Sequence, residues 1–125
     1  MAIIGHGIDM ETLEGFELFA DDDGWLARVF SPEERNNLPS HANRIQSICG
    51  YWCLKEAVLK ALGVGFSEGV WLHDVRVFKD VSGRPAVELH DDAAAQAQIM
   101  GVTTWHVSIS HSDTAAIASA IAASA

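Results

Sequence analysis

Residues 52–63 read Trp-Cys-Leu-Lys-Glu-Ala-Val-Leu-Lys-Ala-Leu-Gly and complete the longest helical pattern of the chain, which covers residues 42–62. Apolar and small side chains recur in this segment at the spacing of one helix face. They form two stripes, the first of Ile45, Ile48, Cys49 and Trp52 and the second of Cys53, Ala57 and Ala61. Gly63 and Gly65 are typical of a helix C-terminus. The sequence therefore predicts one long helix that packs these stripes against the core.

The segment at residues 2–10 alternates with the two-residue period of a β-strand. One predicted face of this strand carries Ile4, Ile8 and Met10, and the other carries Ile3, Gly5, Gly7 and Asp9. Asp9 therefore emerges beside two positions that lack side chains. The following residues, 11–19, have apolar side chains at helical spacing and predict a short acidic helix, which breaks at residues 21–24.

Capping and turn residues predict the next elements. Ser31-Pro32-Glu33-Glu34 combines a capping serine, a first-turn proline and a glutamate three residues after the cap, which together begin a helix. This short helix is expected to end within residues 36–40. Residues 70–78 and 85–89 are rich in strand-forming side chains, and the glycine and proline between them predict a β-hairpin.

The C-terminal third mixes helix and strand signals. Asp91–Met100 is rich in alanine and predicts a helix, whereas residues 104–110 favour a strand. The alanines of residues 114–122 leave both states open. With no repeat, linker or charge block to divide it, the chain is predicted to be a single α+β domain spanning residues 1–125.

Composition excludes several classes of partner. The chain has 8 Lys and Arg against 17 Asp and Glu, and its formal net charge is −9. Scattered basic residues do not form a nucleic-acid surface, and no apolar stretch predicts a membrane span, so neither partner is expected. The N-terminal residues lack a secretory pattern, which favours a cytoplasmic location. Cys49 and Cys53 have no histidine pair to complete a zinc site and are expected to be reduced core residues.

Two carboxylates are candidates for metal binding. Glu56 lies about three helical turns beyond Ile45 on the same stripe, so its side chain is directed toward the core. A buried carboxylate needs a cation, and Asp9 supplies a second carboxylate. Two carboxylates combined with water and substrate phosphate oxygens suit Mg²⁺. The simpler alternatives are a turn-capping aspartate and a solvated ion pair along the helix edge.

A phosphate-bearing substrate would complete such a site. Lys55 and Lys60 are candidates to neutralise phosphate oxygens, and the backbone around Gly63 and Gly65 can approach a pyrophosphate closely. His111, which is expected in an exposed turn, has serines beside it that offer hydroxyl groups to an anion. Its simpler alternative is an ordinary exposed polar residue.

Three clusters in this order resemble the holo-acyl-carrier-protein synthases, the small class of phosphopantetheinyl transferases. The clusters are Gly7-Ile8-Asp9, residues 52–63, and Ser108-Ile109-Ser110-His111-Ser112. Residues 27–34, Gly83-Arg84-Pro85 and Trp105-His106-Val107-Ser108 also resemble family segments. The resemblance covers nearly the whole chain, and its specificity comes from the combination of segments rather than from any one of them.

The resemblance implies the fold and the roles of individual residues. It implies an antiparallel sheet packed on a long helix, a strand at residues 114–122, and a trimer whose active sites lie between subunits. Asp9 and Glu56 become Mg²⁺ ligands and Lys60 a residue near the phosphates of coenzyme A. Ser110 and His111, contributed by the neighbouring subunit, become contacts to the adenosine 3′-phosphate. Asp9, Glu56 and Lys60 form the implied catalytic set, and Lys55, Gly63 and Gly65 are additional candidates for binding coenzyme A.

The resemblance also implies an acyl carrier protein as the partner, but two departures bear on binding. Glu11, Glu14 and Glu17 stand where family members that serve free acidic carriers have arginines. This substitution weakens steering toward an acidic carrier and favours a carrier domain inside a fatty-acid or polyketide synthase. Tyr51 stands where many members have an arginine, which removes one phosphate contact.

Two other functions fit the same residues. A metal-dependent phosphohydrolase would use water in place of the carrier serine as the nucleophile. A coenzyme A-binding assembly module would keep the fold without turnover, as the acidic segment suggests.

Overall fold

The computed structural model describes residues 1–64 and 71–125. Its strands and α-helices are β1 Ile3–Thr12, α1 Asp23–Val29, α2 Pro32–Asn36, α3 Arg44–Leu62, β2 Val75–Lys79, β3 Pro85–Leu89, α4 Asp91–Met100, β4 Thr104–His111 and β5 Ala115–Ala123. This arrangement confirms the predicted α+β class, with an antiparallel sheet packed on the long helix α3. Within the described residues, no helix combines the length and apolar character needed to cross a membrane.

The main sheet has its last strand at its centre. Its antiparallel order is β1-β5-β4, so β5 pairs with both edge strands. The alternate β5 residues that share a face with the glycines of β1 are small and buried: Ala116, Ala118, Ala120 and Ala122. The strand implied for residues 114–122 is therefore confirmed. Alanine is a weak strand former, but here its small size allows α3 to lie close to the sheet.

Helix α3 approaches the sheet most closely at two glycines of β1. A Cβ atom added to Gly7 would lie 1.9 Å from the carbonyl oxygen of Ala57, and one added to Gly5 would lie 2.1 Å from that of Ala61. The helix backbone therefore occupies the space that any side chain would need at these positions. The predicted alternation of residues 2–10 is confirmed, with a register shift between Ile3 and Gly5.

The predicted hairpin and its turn are present as a second, two-stranded sheet. β2 pairs with β3, and Val77 lies opposite Val87. Asp80 closes the turn, since its Oδ1 accepts hydrogen bonds from the backbone amides of Ser82 at 2.8 Å and Arg84 at 3.1 Å. Gly83 has φ of +86°, a left-handed conformation that favours glycine.

The prediction of an acidic helix over residues 11–19 is wrong. β1 continues through Thr12, and only Leu13–Phe16 forms a 3-10 helix. Glu11 pairs with Ala116 on β5, so the sheet supplies the backbone partners that a helix would otherwise have supplied. The helix α1 begins instead at Asp23, inside the predicted break, where Asp22 accepts a hydrogen bond from the Trp25 amide at 3.0 Å.

The predicted strand 70–78 begins later than expected. Residue 70 lies outside the described residues, and Leu72–Asp74 forms a 3-10 helix before β2 begins at Val75. The start of α2 agrees with the prediction. Ser31 and Glu34 form the predicted capping box, in which Ser31 Oγ accepts a hydrogen bond from the Glu34 amide at 3.2 Å.

Both cysteines are free thiols in the core, as predicted. Cys49 Sγ donates to the carbonyl oxygen of Glu11 at 3.7 Å, and Cys53 Sγ donates to that of Ala116 at 3.6 Å. Burial raises the pKa of both thiols, and nearby carboxylates raise it further. The two side chains therefore remain protonated and tie α3 to the strands beneath it.

We expect Gly7→Ala to lower the free energy of unfolding by about 3 kcal/mol, because the added methyl group forces two backbones apart. The measurement is urea denaturation followed by tryptophan fluorescence at one protein concentration. Gly15→Ala is the matched control, since its new Cβ would meet nothing closer than Thr12 Oγ1 at 3.8 Å. Equal midpoints for the two variants would contradict the close contact at Gly7.

Candidate active site

Asp9 and Lys60 meet where β1 passes beside the C-terminal half of α3. Lys60 Nζ donates to Asp9 Oδ1 at 3.0 Å and to the carbonyl oxygen of Ile8 at 3.0 Å. The hydrogen bond to Asp9 raises the pKa of Lys60. The Lys60 side chain is 52% exposed, whereas that of Asp9 is 13% exposed. The ion pair therefore has an open, cationic side facing solvent.

The second oxygen of Asp9 lacks a partner. Asp9 Oδ2 is buried and has no hydrogen-bond partner among the described residues. The Cys53 thiol, whose pKa Asp9 helps to raise, donates to the carbonyl oxygen of Ala116. Glu56 is half-buried nearby, and burial raises the pKa of its carboxyl, with the charge of Asp9 raising it further. A carboxyl group whose charged form is disfavoured, beside a carboxylate with an unsatisfied oxygen, is a set that a divalent cation would stabilise.

The donor set fits Mg²⁺ better than a transition metal. Within residues 1–64 and 71–125, no group of three or more His, Cys, Asp or Glu side chains is arranged to hold a metal ion. Mg²⁺ commonly takes only one or two protein carboxylates and completes its shell with water and substrate phosphate. Asp9 and Glu56 therefore suffice as the protein's share of such a site.

Lys55 does not reach this site. Its side chain is 0% exposed, and its Nζ lies 3.0 Å from Glu34 Oε1 and 2.9 Å from Glu34 Oε2. The same Nζ donates to the carbonyl oxygens of Leu72 at 3.2 Å and of Val75. Burial lowers the pKa of Lys55 to about 8, although Glu34 opposes this effect. The prediction that Lys55 contacts a phosphate is at odds with this geometry, because its donors are already used inside the core.

Glu34 has a structural role beyond the helix capping that the sequence predicted for it. Its Oε1 accepts from the Ser31 amide at 2.8 Å, and its Oε2 accepts from the Val77 amide at 3.0 Å. With Lys55, this carboxylate joins α2, α3 and β2. The apolar residues on either side of Lys55 indicated that its side chain could be buried. No sequence pattern predicted its ion pair with Glu34.

The glycines after α3 are only partly described. Gly63 ends the helix in the left-handed conformation, with φ of +70° and ψ of +25°, and its amide donates to the carbonyl oxygen of Lys60 at 3.0 Å. This confirms its predicted capping role and leaves its predicted coenzyme A contact as a prediction. Gly65 lies outside the described residues.

Ser110 and His111 lie at the opposite edge of the sheet from Asp9. Asp9 pairs with Ala118 on β5, which pairs with Ile109 on β4, so one strand separates the two edges. The edge backbones are therefore about 9–10 Å apart, with α3 lying over the sheet between them. His111 is the last residue of β4 rather than part of a turn, and by alternation Ser110 faces the other side of the sheet. Within a single chain, Ser110 and His111 therefore do not lie beside Asp9 and Glu56, which are called the carboxylate pair below.

Two adjoining clefts lie on the β4 side of α3. The smaller, of about 520 Å³, is lined by residues that include Gln46, Ser47, Tyr51, Lys79, Pro85 and His111. The larger, of about 770 Å³, shares Ser47, Tyr51 and Lys79 with it and is also lined by Arg76, Glu33 and Glu34. Neither cleft is lined by Asp9, Glu56 or Lys60. The predicted site residues thus fall into two separate groups.

Comparisons with a family model and with known proteins agree on one family. The model of a family described as the 4′-phosphopantetheinyl transferase superfamily matches residues 5–119. A holo-[acyl-carrier-protein] synthase from Solidesulfovibrio magneticus is 46% identical over 117 residues, covering 91% of this chain and 94% of the relative. Fatty acid synthase subunit alpha from Candida parapsilosis is 42% identical over 118 residues, which cover 94% of this chain and 6% of that subunit.

A solved structure supports the same family. The crystal structure of a holo-(acyl-carrier-protein) synthase from Bacillus anthracis in complex with CoA (3′,5′-ADP) superimposes with a TM-score of 0.81. The two sequences are 28% identical, and the match covers 98% of each chain. The likeness therefore extends over the helix, the sheet and both groups of site residues.

We expect Lys55→Met to lower the free energy of unfolding by about 3–5 kcal/mol, because it leaves the Glu34 carboxylate buried without its cation. Adding Glu34→Gln should recover part of this loss in a double-mutant cycle, measured by urea denaturation. Lys79→Met removes an exposed lysine and is the matched control. A loss for Lys55→Met no greater than for this control would contradict the buried ion pair.

Proposed function

The chain belongs to the 4′-phosphopantetheinyl transferase superfamily, and we propose that Asp9 and Glu56 support that family's reaction with bound Mg²⁺. The reaction moves 4′-phosphopantetheine from coenzyme A to a serine hydroxyl of an apo acyl carrier protein and leaves 3′,5′-ADP. The observation that carries this site assignment is the buried, unpartnered Oδ2 of Asp9 beside the half-buried Glu56. The synthase relatives and the CoA-bound neighbour support the substrate and the acceptor.

The residues around the carboxylate pair suit attack at a phosphorus atom. The serine hydroxyl loses its proton to water, and its oxygen bonds to the β-phosphorus while the bond from that phosphorus to the bridging oxygen breaks. The bridging oxygen leaves with the electron pair as part of 3′,5′-ADP. Mg²⁺ held by Asp9 and Glu56 would stabilise the negative charge on these phosphate oxygens. Lys60 uses two of its three N–H donors on Asp9 and Ile8, so the third is available to a phosphate oxygen.

The nucleotide end of coenzyme A would bind in the smaller cleft beside His111. Its volume of about 520 Å³ lies in the range of small-ligand sites. The imidazole of His111 lines this cleft and suits the predicted contact with the adenosine 3′-phosphate. Ser110 faces the other side of the sheet, so the geometry supports His111 more strongly than Ser110. Gly63 and Gly65 remain candidates for contacts nearer the pyrophosphate.

The separation of the two groups supports a trimer as the active form. Asp9 and His111 lie on opposite edge strands of one sheet, which supports a complete site formed by the β1 edge of one chain and the β4 edge of another. A contact between two different surfaces closes into a ring when repeated by rotation, and three chains form one such ring. Exposed Ile8, Met10 and Ile117 on the uncovered sheet face provide apolar surface for this assembly.

The acidic segment between β1 and α1 bears on the choice of carrier. Glu14, Glu17 and Asp21–Asp23 are exposed there, and Arg44 Nε lies 3.6 Å from Asp21 Oδ1. This surface would repel a strongly acidic carrier protein. We therefore propose a carrier domain within a fatty-acid or polyketide synthase, a proposal supported by the similar stretch inside fatty acid synthase subunit alpha. A cytoplasmic location stays a prediction from the sequence.

We expect Asp9→Asn and Glu56→Gln each to reduce phosphopantetheinylation by about 100-fold or more, because each removes one carboxylate from the Mg²⁺ site. Mass spectrometry of apo carrier proteins and excised carrier domains, incubated with coenzyme A and Mg²⁺, measures the transfer. Weaker Mn²⁺ binding by the same variants in electron paramagnetic resonance provides a second readout, and Glu14→Gln is the exposed control.

Three outcomes of this experiment would contradict part of the proposal. Full carrier modification by both variants would remove the metal-site assignment. Release of free phosphopantetheine without modified carrier would indicate a phosphohydrolase. Tight coenzyme A binding with no product from any carrier would indicate a binding module.

We expect coexpressed Asp9→Asn and His111→Ala chains to regain activity that neither variant has alone, because one interface in each mixed ring can combine two intact halves. Random assembly of equal amounts makes about one quarter of the interfaces complete, so activity should approach one quarter of wild type. Carrier modification per active-site concentration measures this recovery. Activity no greater than the sum of the separate variants would argue for sites within single chains.

A further inference from the structure

Among the described residues, five basic side chains have no carboxylate partner, and three of them lie on one hairpin. The other two are Arg28 and Arg35. Of the eight Lys and Arg residues, Arg44, Lys55 and Lys60 form ion pairs with carboxylates. Arg76, Lys79 and Arg84, all on the hairpin of β2 and β3, have no carboxylate within 4.0 Å among the described residues. In a chain with a formal charge of −9, this hairpin is the surface best suited to hold an anion.

Lys79 lies where the two clefts join. It lines both of them, as do Ser47 and Tyr51 on the facing side of α3. His111 closes the smaller cleft and Arg76 lines the larger one. A phosphate at the junction would therefore meet a lysine, a hydroxyl and a phenol, with a histidine on one side and an arginine on the other.

The acidic residues near the junction are mostly engaged elsewhere. Glu34 is neutralised by Lys55 at 2.9 Å, and Glu88 Oε1 lies 2.6 Å from His90 Nε2. Glu33 lines the larger cleft but not the smaller one. Arg76 Nε is buried and has no hydrogen-bond partner among the described residues. The junction therefore offers unsatisfied positive charge rather than a self-neutralised surface.

We propose that Lys79, with Arg76 beside it, binds the 3′-phosphate of coenzyme A at the junction of the two clefts. The inference rests on the proposed function, which supplies the ligand, and it adds a binding residue from β2 to His111. A cation on β2 would also provide the charge that the neutral Tyr51 on the facing helix lacks. Lys79 would act on substrate binding and not on the reacting phosphorus, which lies at the carboxylate pair.

Comparison of coenzyme A with dephospho-coenzyme A tests this contact, because the two ligands differ only in the 3′-phosphate. We expect Lys79→Ala to raise the dissociation constant for coenzyme A by about 10-fold, measured by isothermal titration calorimetry. The same variant should change the affinity for dephospho-coenzyme A by less than about 2-fold. Lys79→Arg should retain tight coenzyme A binding, and Arg76→Gln should reproduce the selective loss to a smaller degree.

Arg84→Ala is the matched control, since it removes a cation from the same hairpin at a position that lines neither cleft. Equal losses for both ligands with Lys79→Ala, or no loss for either, would overturn the inference. Wild-type protein that binds both ligands equally would also overturn it. Failure of wild-type protein to modify any carrier would instead reject the proposed function, and the binding comparison would still report on Lys79.

Discussion

At Gly5 and Gly7 the backbone of α3 lies so close to β1 that a methyl group would sit about 2 Å from a helix carbonyl oxygen. The buried alanines of β5 allow the same close approach of α3 at the centre of the sheet. Because the helix lies this low, Lys60 reaches Asp9 and Ile8 on the strand. The close packing of the two backbones thus places Asp9 on β1 beside the side of α3 that carries Lys60.

The Lys55–Glu34 ion pair fixes the other side of α3. Glu34 accepts hydrogen bonds from the Ser31 amide at the start of α2 and from the Val77 amide on β2. Lys55 also donates to the carbonyl oxygens of Leu72, just before β2, and of Val75, its first residue. A buried pair of this kind contributes little net stability compared with apolar packing, but its directional hydrogen bonds fix geometry. They set the position of β2, and with it Arg76 and Lys79, relative to the α3 wall of the clefts.

The sequence predicted those elements whose local signals agree with their tertiary setting. The long helix, the alternating first strand and the Ser31 capping box are examples, and so is the small-residue face that lets Asp9 emerge beside α3. The helix prediction for residues 11–19 was wrong because the start of this segment pairs with β5, more than 100 residues later in the chain. The helical spacing of its apolar side chains is a local signal and carries no information about that distant partner. The prediction that Lys55 contacts a phosphate disagrees with the structure for a similar reason, since its partner Glu34 lies on a different helix. The division of the site between two sheet edges follows from strand order, and strand order is not a local property.

The two buried thiols bear on how this protein coexists with its substrate. Coenzyme A itself ends in a thiol, and its oxidised forms exchange readily with accessible thiolates. Cys49 and Cys53 are the only cysteines of the chain, and they are buried with pKa values raised by that burial, so neither presents a thiolate to solvent. An enzyme that binds coenzyme A continually is therefore protected from mixed-disulfide formation with it, and changes in the redox state of the coenzyme A pool would alter substrate supply without modifying the protein.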